Sequence, residues 1–418
     1  MRRVSLLVPL LMLTATGALG QGRPVLPNST PVSSAALGSP AMDAGEYVYI
    51  SGRGPRRANG DTPAKFAEQV RQCLENVNTV AEAAGLTMEH VVYVQVYLVD
   101  TNRYEELNEV FADYFPKDPP ARAVLGVASL PEPPVQITAV AVRDLKGKEP
   151  VSAPNIKASK AYSPGMLTHD RLFVSTMPGS DPSNGNVPKE PALQVDLALD
   201  RLKSVLQAAG LSLANMVFVN PYLTTDVPMR IMNKQYAQRF EFGNTPARAT
   251  IEVFSLPEGA HIAYTGVAVR DLSKRRSIRP KNMPPSPTAS PCVFAGDTLY
   301  CSAKSGFIPG PNDGIYAAAT ADQTRQTMRN LLDNLEEADM KFDQVVSTTI
   351  YLDDLSETPL FAKIYKKYFS GILPAQTTVQ QLPPGDRKAN EEGQYPTLEQ
   401  VSLIAVRRPG VSSPRPPQ

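Results

Sequence analysis

The chain has 418 residues, too many for one ordinary core at about 100–200 residues per domain, so two to four domains are expected. Hydrophobic residues at 42% and charged residues at 20% fit a soluble globular protein. With 42 Lys and Arg against 41 Asp and Glu there is no net field to draw in nucleic acid or an anionic membrane, which argues against a ribonuclease.

The first elements suggest export. Arg2 and Arg3 give a positive start, Val4 to Met12 an apolar run, and Ala18-Leu19-Gly20 a small-x-small cleavage site. The run is shorter than the ~20 apolar residues of a membrane span and carries Pro9. Residues 1–20 are therefore expected to be a signal peptide, and the mature protein to be periplasmic or secreted with no membrane association. No cysteine follows the site to accept a lipid.

The rest of the chain carries one pattern three times. Leu-Pro recurs at 130, 256 and 382, at intervals of 126 and 126; Ser-Pro recurs at 39, 163 and 290, at 124 and 127. A repeat of this period must be recognised before any other structure is assigned. In each copy a β-rich start (Tyr47 to Ser51, Leu172 to Ser175, Leu299 to Ser302) precedes a helix with apolar residues three and four apart. In the first copy these are Phe66, Val70, Cys73, Val77, Val80 and Ala84. Gly85 and Gly210 are placed to end the first two helices in the left-handed conformation.

A β-branched strand comes next (Val91 to Leu98, Met216 to Leu223, Val345 to Leu352). Pro221 marks the second as an edge or bulge. A second helix (Tyr104 to Phe115, Met229 to Phe240, Thr358 to Phe369) and two strands around Leu-Pro complete the unit. The last strands read AVAVRDL, GVAVRDL and LIAVRRP, beginning at 139, 266 and 403. The expected fold is α+β, β-β-α-β-α-β-β per unit, helices on one sheet face. Units at 28–148, 152–274 and 280–409 are joined by connectors rich in Lys, Arg, Pro and Ser, and 410–418 form a flexible tail.

Of the three cysteines, Cys73 falls on the apolar helix face. Cys292 and Cys301 flank Gly296-Asp297; a two-residue hairpin there sets them directly opposite each other. They form a disulfide in an oxidising compartment, or are two separate small core residues. His90, His169 and His261 show no metal spacing, and no metal or cofactor is expected. Tyr97, Tyr222 and Tyr351 recur in a Tyr-Leu pair that core packing explains.

Several of these residues together resemble the RidA/YjgF family, also called endoribonuclease L-PSP. They are Ser51-Gly52, Gln69, Asn76, Ala84-Gly85, Asn108, Phe111, Phe115, Pro120-Ala121-Arg122, Leu130-Pro131 and the closing AVAVR. Copy two repeats the set with Gln194, Asn233, Tyr236, Phe240 and Pro246-Ala247-Arg248. The resemblance implies a chorismate-mutase-like unit that assembles in threes around a central barrel, here as an intramolecular pseudo-trimer, monomeric or assembled further. It implies hydrolysis of small 2-imino or enamine acids of the 2-iminobutanoate/2-iminopropanoate type in clefts between units, with no cofactor.

The family arginine, which holds the substrate carboxylate, corresponds to Arg122 and Arg248. A guanidinium presents a planar fork of donors that matches a carboxylate. Asn108, Asn233, Ser51 and Ser175 are the further candidate binding residues. The third copy reads Pro374-Ala375-Gln376 and has Ala362 for the asparagine, so it is expected to be a scaffold, with an extra loop from Gly385 to Glu399. The family glutamate that positions water is replaced by Thr138, Thr265 and Ser402, whose hydroxyls are too weakly acidic to act as a general base. The readings are thus a deaminase, a module that binds a small carboxylate-bearing metabolite without turnover, or a purely structural pseudo-trimer.

Overall fold

The computed structural model describes residues 22–27, 37–281, 283–310 and 314–407. The expected signal peptide and the tail at 410–418 lie outside them.

The first unit contains β1 (Arg23–Val25), β2 (Ala41–Asp43), β3 (Tyr47–Arg53), α1 (Phe66–Ala83), β4 (Val91–Leu98), α2 (Tyr104–Tyr114), β5 (Ala121–Gly126) and β6 (Val135–Val142). The second contains β7 (Glu149–Val151), β8 (Gly165–Leu167), β9 (Arg171–Pro178), α3 (Pro191–Ala208), β10 (Met216–Leu223), α4 (Met229–Ala237), β11 (Ala247–Arg248), β12 (Ile251–Glu252) and β13 (Ile262–Val269). The third contains β14 (Arg275–Ile278), β15 (Cys292–Ala295), β16 (Thr298–Ser305), α5 (Thr320–Glu337), β17 (Val345–Leu352), α6 (Thr358–Tyr365), β18 (Ala375–Gln380) and β19 (Glu399–Val406).

The three sheets share one order: β1-β2-β3-β6-β4-β5, β7-β8-β9-β13-β10-β11 with β12 also on β10, and β14-β15-β16-β19-β17-β18. Each has an edge strand beyond the expected pattern. β7 and β14 arise from stretches expected as connectors, where every residue is in register with the first strand of the following hairpin. Gly85 and Gly210 end their helices at φ 75° and 73° as expected, and Asp339 takes the same left-handed position in the third unit.

Pro221 is neither at an edge nor in a bulge. It pairs with Tyr264 of β13, and on its other side the parallel partner is split into β11 and β12. Proline has no N–H to give that ladder. The side-chain amide of Asn220 donates to Ala249 O at 3.2 Å across the break. The hairpin at 296–297 has the expected register, with Cys292 opposite Cys301, and the two sulfurs are bonded.

Each sheet buries its outer face under its two helices, giving three separate cores. The inner faces meet. Tyr47, Tyr49, Phe173, Val217, Val293 and Tyr300 share one cluster, and Tyr97, Tyr222 and Tyr351 a second, each drawing on all three units. This is the central barrel of a pseudo-trimer. It closes cyclically: β5 packs on β9, β11 on β16 and β18 on β3.

Candidate active site at the unit interfaces

One hydrogen-bonding pattern stitches each of the three interfaces. The hydroxyl of Ser175 accepts from Arg122 N at 2.7 Å and donates to Ser163 O at 2.6 Å. Ser302 does the same for Arg248 N (2.8 Å) and Ser290 O (2.6 Å), and Ser51 for Gln376 N (2.7 Å) and Ser39 O (2.6 Å). A second, backbone bond runs beside each: Ser163 N to Pro120 O, Ser290 N to Pro246 O and Ser39 N to Pro374 O. The hydroxyls of Ser51 and Ser175, candidates for ligand contact, are thus engaged in holding neighbouring units together. The arginine of one unit is positioned by the serine of the next.

Between the first and second units lies a cleft of about 740 Å³, bordered by Tyr104, Asn108 and Arg122 on one side and Tyr162, Arg201, Glu258 and Ala263 on the other. Arg122 is only 2% exposed. Three rings enclose its guanidinium, with Cζ 4.6 Å from the centre of Phe111, 5.1 Å from Tyr162 and 5.6 Å from Tyr104. Nη2 donates to the side-chain oxygen of Asn108, while Nη1 is buried with no partner. Burial lowers the pKa of Arg122, opposed by Tyr104 and Tyr162, and burial raises that of Tyr162. Glu258 stands in the left-handed conformation (φ 57°) at the turn after Leu256-Pro257, which presents its carboxylate at the rim.

Arg248 repeats the arrangement between the second and third units. Its Nη1 donates to Asn233 Oδ1 at 2.8 Å, and Cζ lies 5.1 Å from the ring centre of Tyr236. Burial again lowers its pKa. Both arginines face inter-unit surfaces, and both are held by a neutral amide that leaves their charge uncancelled.

The third interface is filled from within. The side-chain oxygen of Gln376 accepts from Leu37 N at 3.3 Å, and its amide nitrogen donates to Thr378. Leu37 is buried in the third unit's core, and Gly38 lies so close to the facing backbone that an added Cβ would collide with Pro374 O.

Thr138, Thr265 and Ser402 do not border the arginine cleft. They line a small cavity of about 100 Å³ on the pseudo-threefold axis, ringed by tyrosines. Thr138 donates to Ile50 O at 2.7 Å and Thr265 to Val174 O. Side chains two apart on a strand share a face, so the cleft wall at this height is formed two residues earlier, by Ala263.

Tyr97, Tyr222 and Tyr351 converge near the axis, and Gln95 bonds the hydroxyls of Tyr97 (2.7 Å) and Tyr222 (3.3 Å). His90 bonds within the Thr87 turn. His261 lies 4.0 Å from Asp226, and His169 pairs with Glu46 at 2.7 Å. Glu46, His169 and Asp170 bring potential metal ligands within 4.8 Å of one another. Asp170 already pairs with Arg171 at 3.1 Å and accepts from Tyr47, so a cation there would compete with a guanidinium.

Sequence reasoning missed two residues. Arg171 opens β9 on the inner face, and Arg201 projects from α3 into the cleft. Both stand where the other two copies have different residues, which is a visible signal once the copies are superposed.

The fold and site thus define a three-unit α+β ring closed within one chain, with arginines held in the grooves between units. The Endoribonuclease L-PSP family model matches three times, over residues 28–143, 152–269 and 282–385, and the chain belongs to that family. It is 36% identical over 109 residues to a RutC family protein of Pyrococcus horikoshii, covering 25% of this chain and 86% of the relative. It is 38% identical over 120 residues to the 2-iminobutanoate/2-iminopropanoate deaminase of Bos taurus, covering 28% and 88%. Among solved structures, the E. coli YjgF gene product is 32% identical over 29% of this chain and 99% of its own, with a TM-score of 0.28.

Proposed function

We propose that the cleft between the first and second units binds a small carboxylate-bearing 2-imino acid on Arg122 and hydrolyses it. The unpartnered Nη1 of Arg122 carries this reading. A buried donor left unpaired costs about 1–3 kcal/mol, and more when charged. An acceptor supplied by a ligand carboxylate would remove that penalty once Tyr104 or Tyr162 turns aside.

In a 2-imino acid the carboxylate is attached to the carbon that water must attack. A guanidinium fork on the carboxylate therefore also fixes that carbon. Water adds to the protonated C=N carbon and one of its protons passes to nitrogen; as the C–N bond breaks, the hydroxyl gives its remaining proton to the departing ammonia, leaving the 2-oxo acid and ammonium. The iminium is already electrophilic, so orientation is the protein's main contribution. The bovine relative, named as a deaminase of such acids, supports this chemistry. Arg248 and Asn233 give the second cleft the same potential.

A specific observation favours a second reading, capture without turnover: Ala263 offers the cleft no proton acceptor, and Thr265 turns to the axis. The test is ammonia release from 2-aminoacrylate generated in situ. If the proposal holds, Arg122→Ala with Arg248→Ala lowers the rate at least tenfold. An unchanged rate in the double variant would discard arginine-dependent catalysis, and saturable binding without ammonia would select the second reading. We further propose export to the periplasm or beyond, supported by the Arg2 to Gly20 pattern and the bonded Cys292–Cys301 pair.

A further inference from the structure

The cleft at Arg122 contains a second guanidinium. Helices α1, α3 and α5 are each 18 residues long and occupy equivalent places. At the eleventh position the first and third have Asn76 and Asn330, which do one job. Asn76 Nδ2 donates to Gly54 O and Arg56 O, both at 2.9 Å, and Asn330 Nδ2 to Ser305 O and Phe307 O, both at 3.0 Å. Each clamps the chain where it leaves β3 or β16.

In the second unit the eleventh residue is Arg201, and the clamp is gone. The chain there is held by its own bonds instead, Gly179 N to Ile262 O at 2.8 Å and Ser183 N to Asp181 Oδ1 at 2.8 Å. Arg201 borders the cleft, and its Nε is buried with no partner. No carboxylate lies within ion-pair distance of it among the described residues. Asp181 is taken up by Ser183 and Asn184 and Glu258 is exposed at the rim, so both act on Arg201 only through space. Tyr162 is within electrostatic reach of both guanidiniums. One cleft therefore holds two cationic groups, each with a buried nitrogen lacking an acceptor.

We infer that this cleft is a two-anion site: Arg201 receives a second acidic group on a ligand whose first carboxylate sits on Arg122, so the ligand is a small dicarboxylate. The inference rests on the carboxylate-binding reading of Arg122. At the other two interfaces, those of Arg248 and Gln376, the equivalent position on the neighbouring unit's helix is Asn330 and Asn76, so among the described residues the two-arginine arrangement occurs once. Arginine suits this task because its fork stays charged when desolvated.

Isothermal titration with 2-oxoglutarate and 2-oxobutanoate tests this on the whole chain. The expected result is one 2-oxoglutarate per chain, bound at least tenfold more tightly than 2-oxobutanoate. Arg201→Asn, the residue of the other two units, should abolish that preference and leave 2-oxobutanoate unchanged, with the melting temperature confirming the fold. Equal affinities in the wild type, or an Arg201→Asn variant that keeps the preference or weakens both acids alike, would overturn the two-anion site. A preference that survives while Arg122→Ala leaves both affinities intact would instead sink the Arg122 reading. Failure of both acids to bind the wild type would remove both.

Discussion

Asn108 and Asn233 hold the arginines with an oxygen that carries no charge. An aspartate would hold them as firmly but would cancel the field a ligand needs. Asn108→Asp should therefore weaken carboxylate binding at the first cleft at least tenfold while leaving the melting temperature unchanged or higher, as titration and thermal melting would show. An unaltered affinity would mean that ligand does not meet Arg122. The positions of Arg122, Arg248 and their asparagines were legible because a short motif fixes them. The roles of Ser51 and Ser175 were not, because their partners, Gln376 and Arg122, come from neighbouring units hundreds or tens of residues away. Thr138, Thr265 and Ser402 were assigned to a cleft because sequence gives a strand's face but not the height along it.

The elements followed their periodicity closely, and α1, α3 and the central strands begin and end near their expected residues. The edge strands β1, β7 and β14 escaped because pairing, not composition, makes them strands. The third unit's core also departs from the pattern. Where α1 packs Val70, Cys73 and Val80, α5 buries Thr324, Thr327 and Asn334, and β19 brings Glu399 beneath the helix where β6 has Val135. Glu399 is 2% exposed; Oε1 accepts from Thr327 at 2.5 Å and Oε2 has no partner. Burial chiefly raises its pKa, to about 8. The folded state therefore keeps a proton that the unfolded chain loses near pH 4.5. Its contribution to stability is full below that pH, falls by about 1.4 kcal/mol per unit as pH rises towards 8, and then levels. Glu399→Gln should remove this slope and make the protein more stable than wild type at pH 8, in urea melts across the range. Parallel pH profiles for the two proteins would refute it.

At the scale of the whole molecule, equivalent positions on β3, β9 and β16 hold Tyr47, Arg171 and Thr298, and these meet across the interfaces. Arg171, 3% exposed, donates to Thr298 Oγ1 at 2.7 Å and Tyr300 OH at 2.9 Å and lies 4.4 Å from the ring centre of Tyr47. Removing it leaves Asp170 without its cation and the hydroxyls of Thr298 and Tyr300 without their donor. Arg171→Met should cost about 3–5 kcal/mol in denaturant unfolding, the scale for breaking a buried charged contact. A loss below about 1 kcal/mol would show that the three units do not depend on this junction.

The same junction governs what the modules could become if separated. A homotrimer of the second module would crowd three arginines onto its own axis, and repulsion would oppose assembly. A homotrimer of the first would place three tyrosines there with no guanidinium to lie against their rings. The three modules are therefore not interchangeable here: the third, whose own interface is filled, still supplies the two hydroxyls that accept from Arg171.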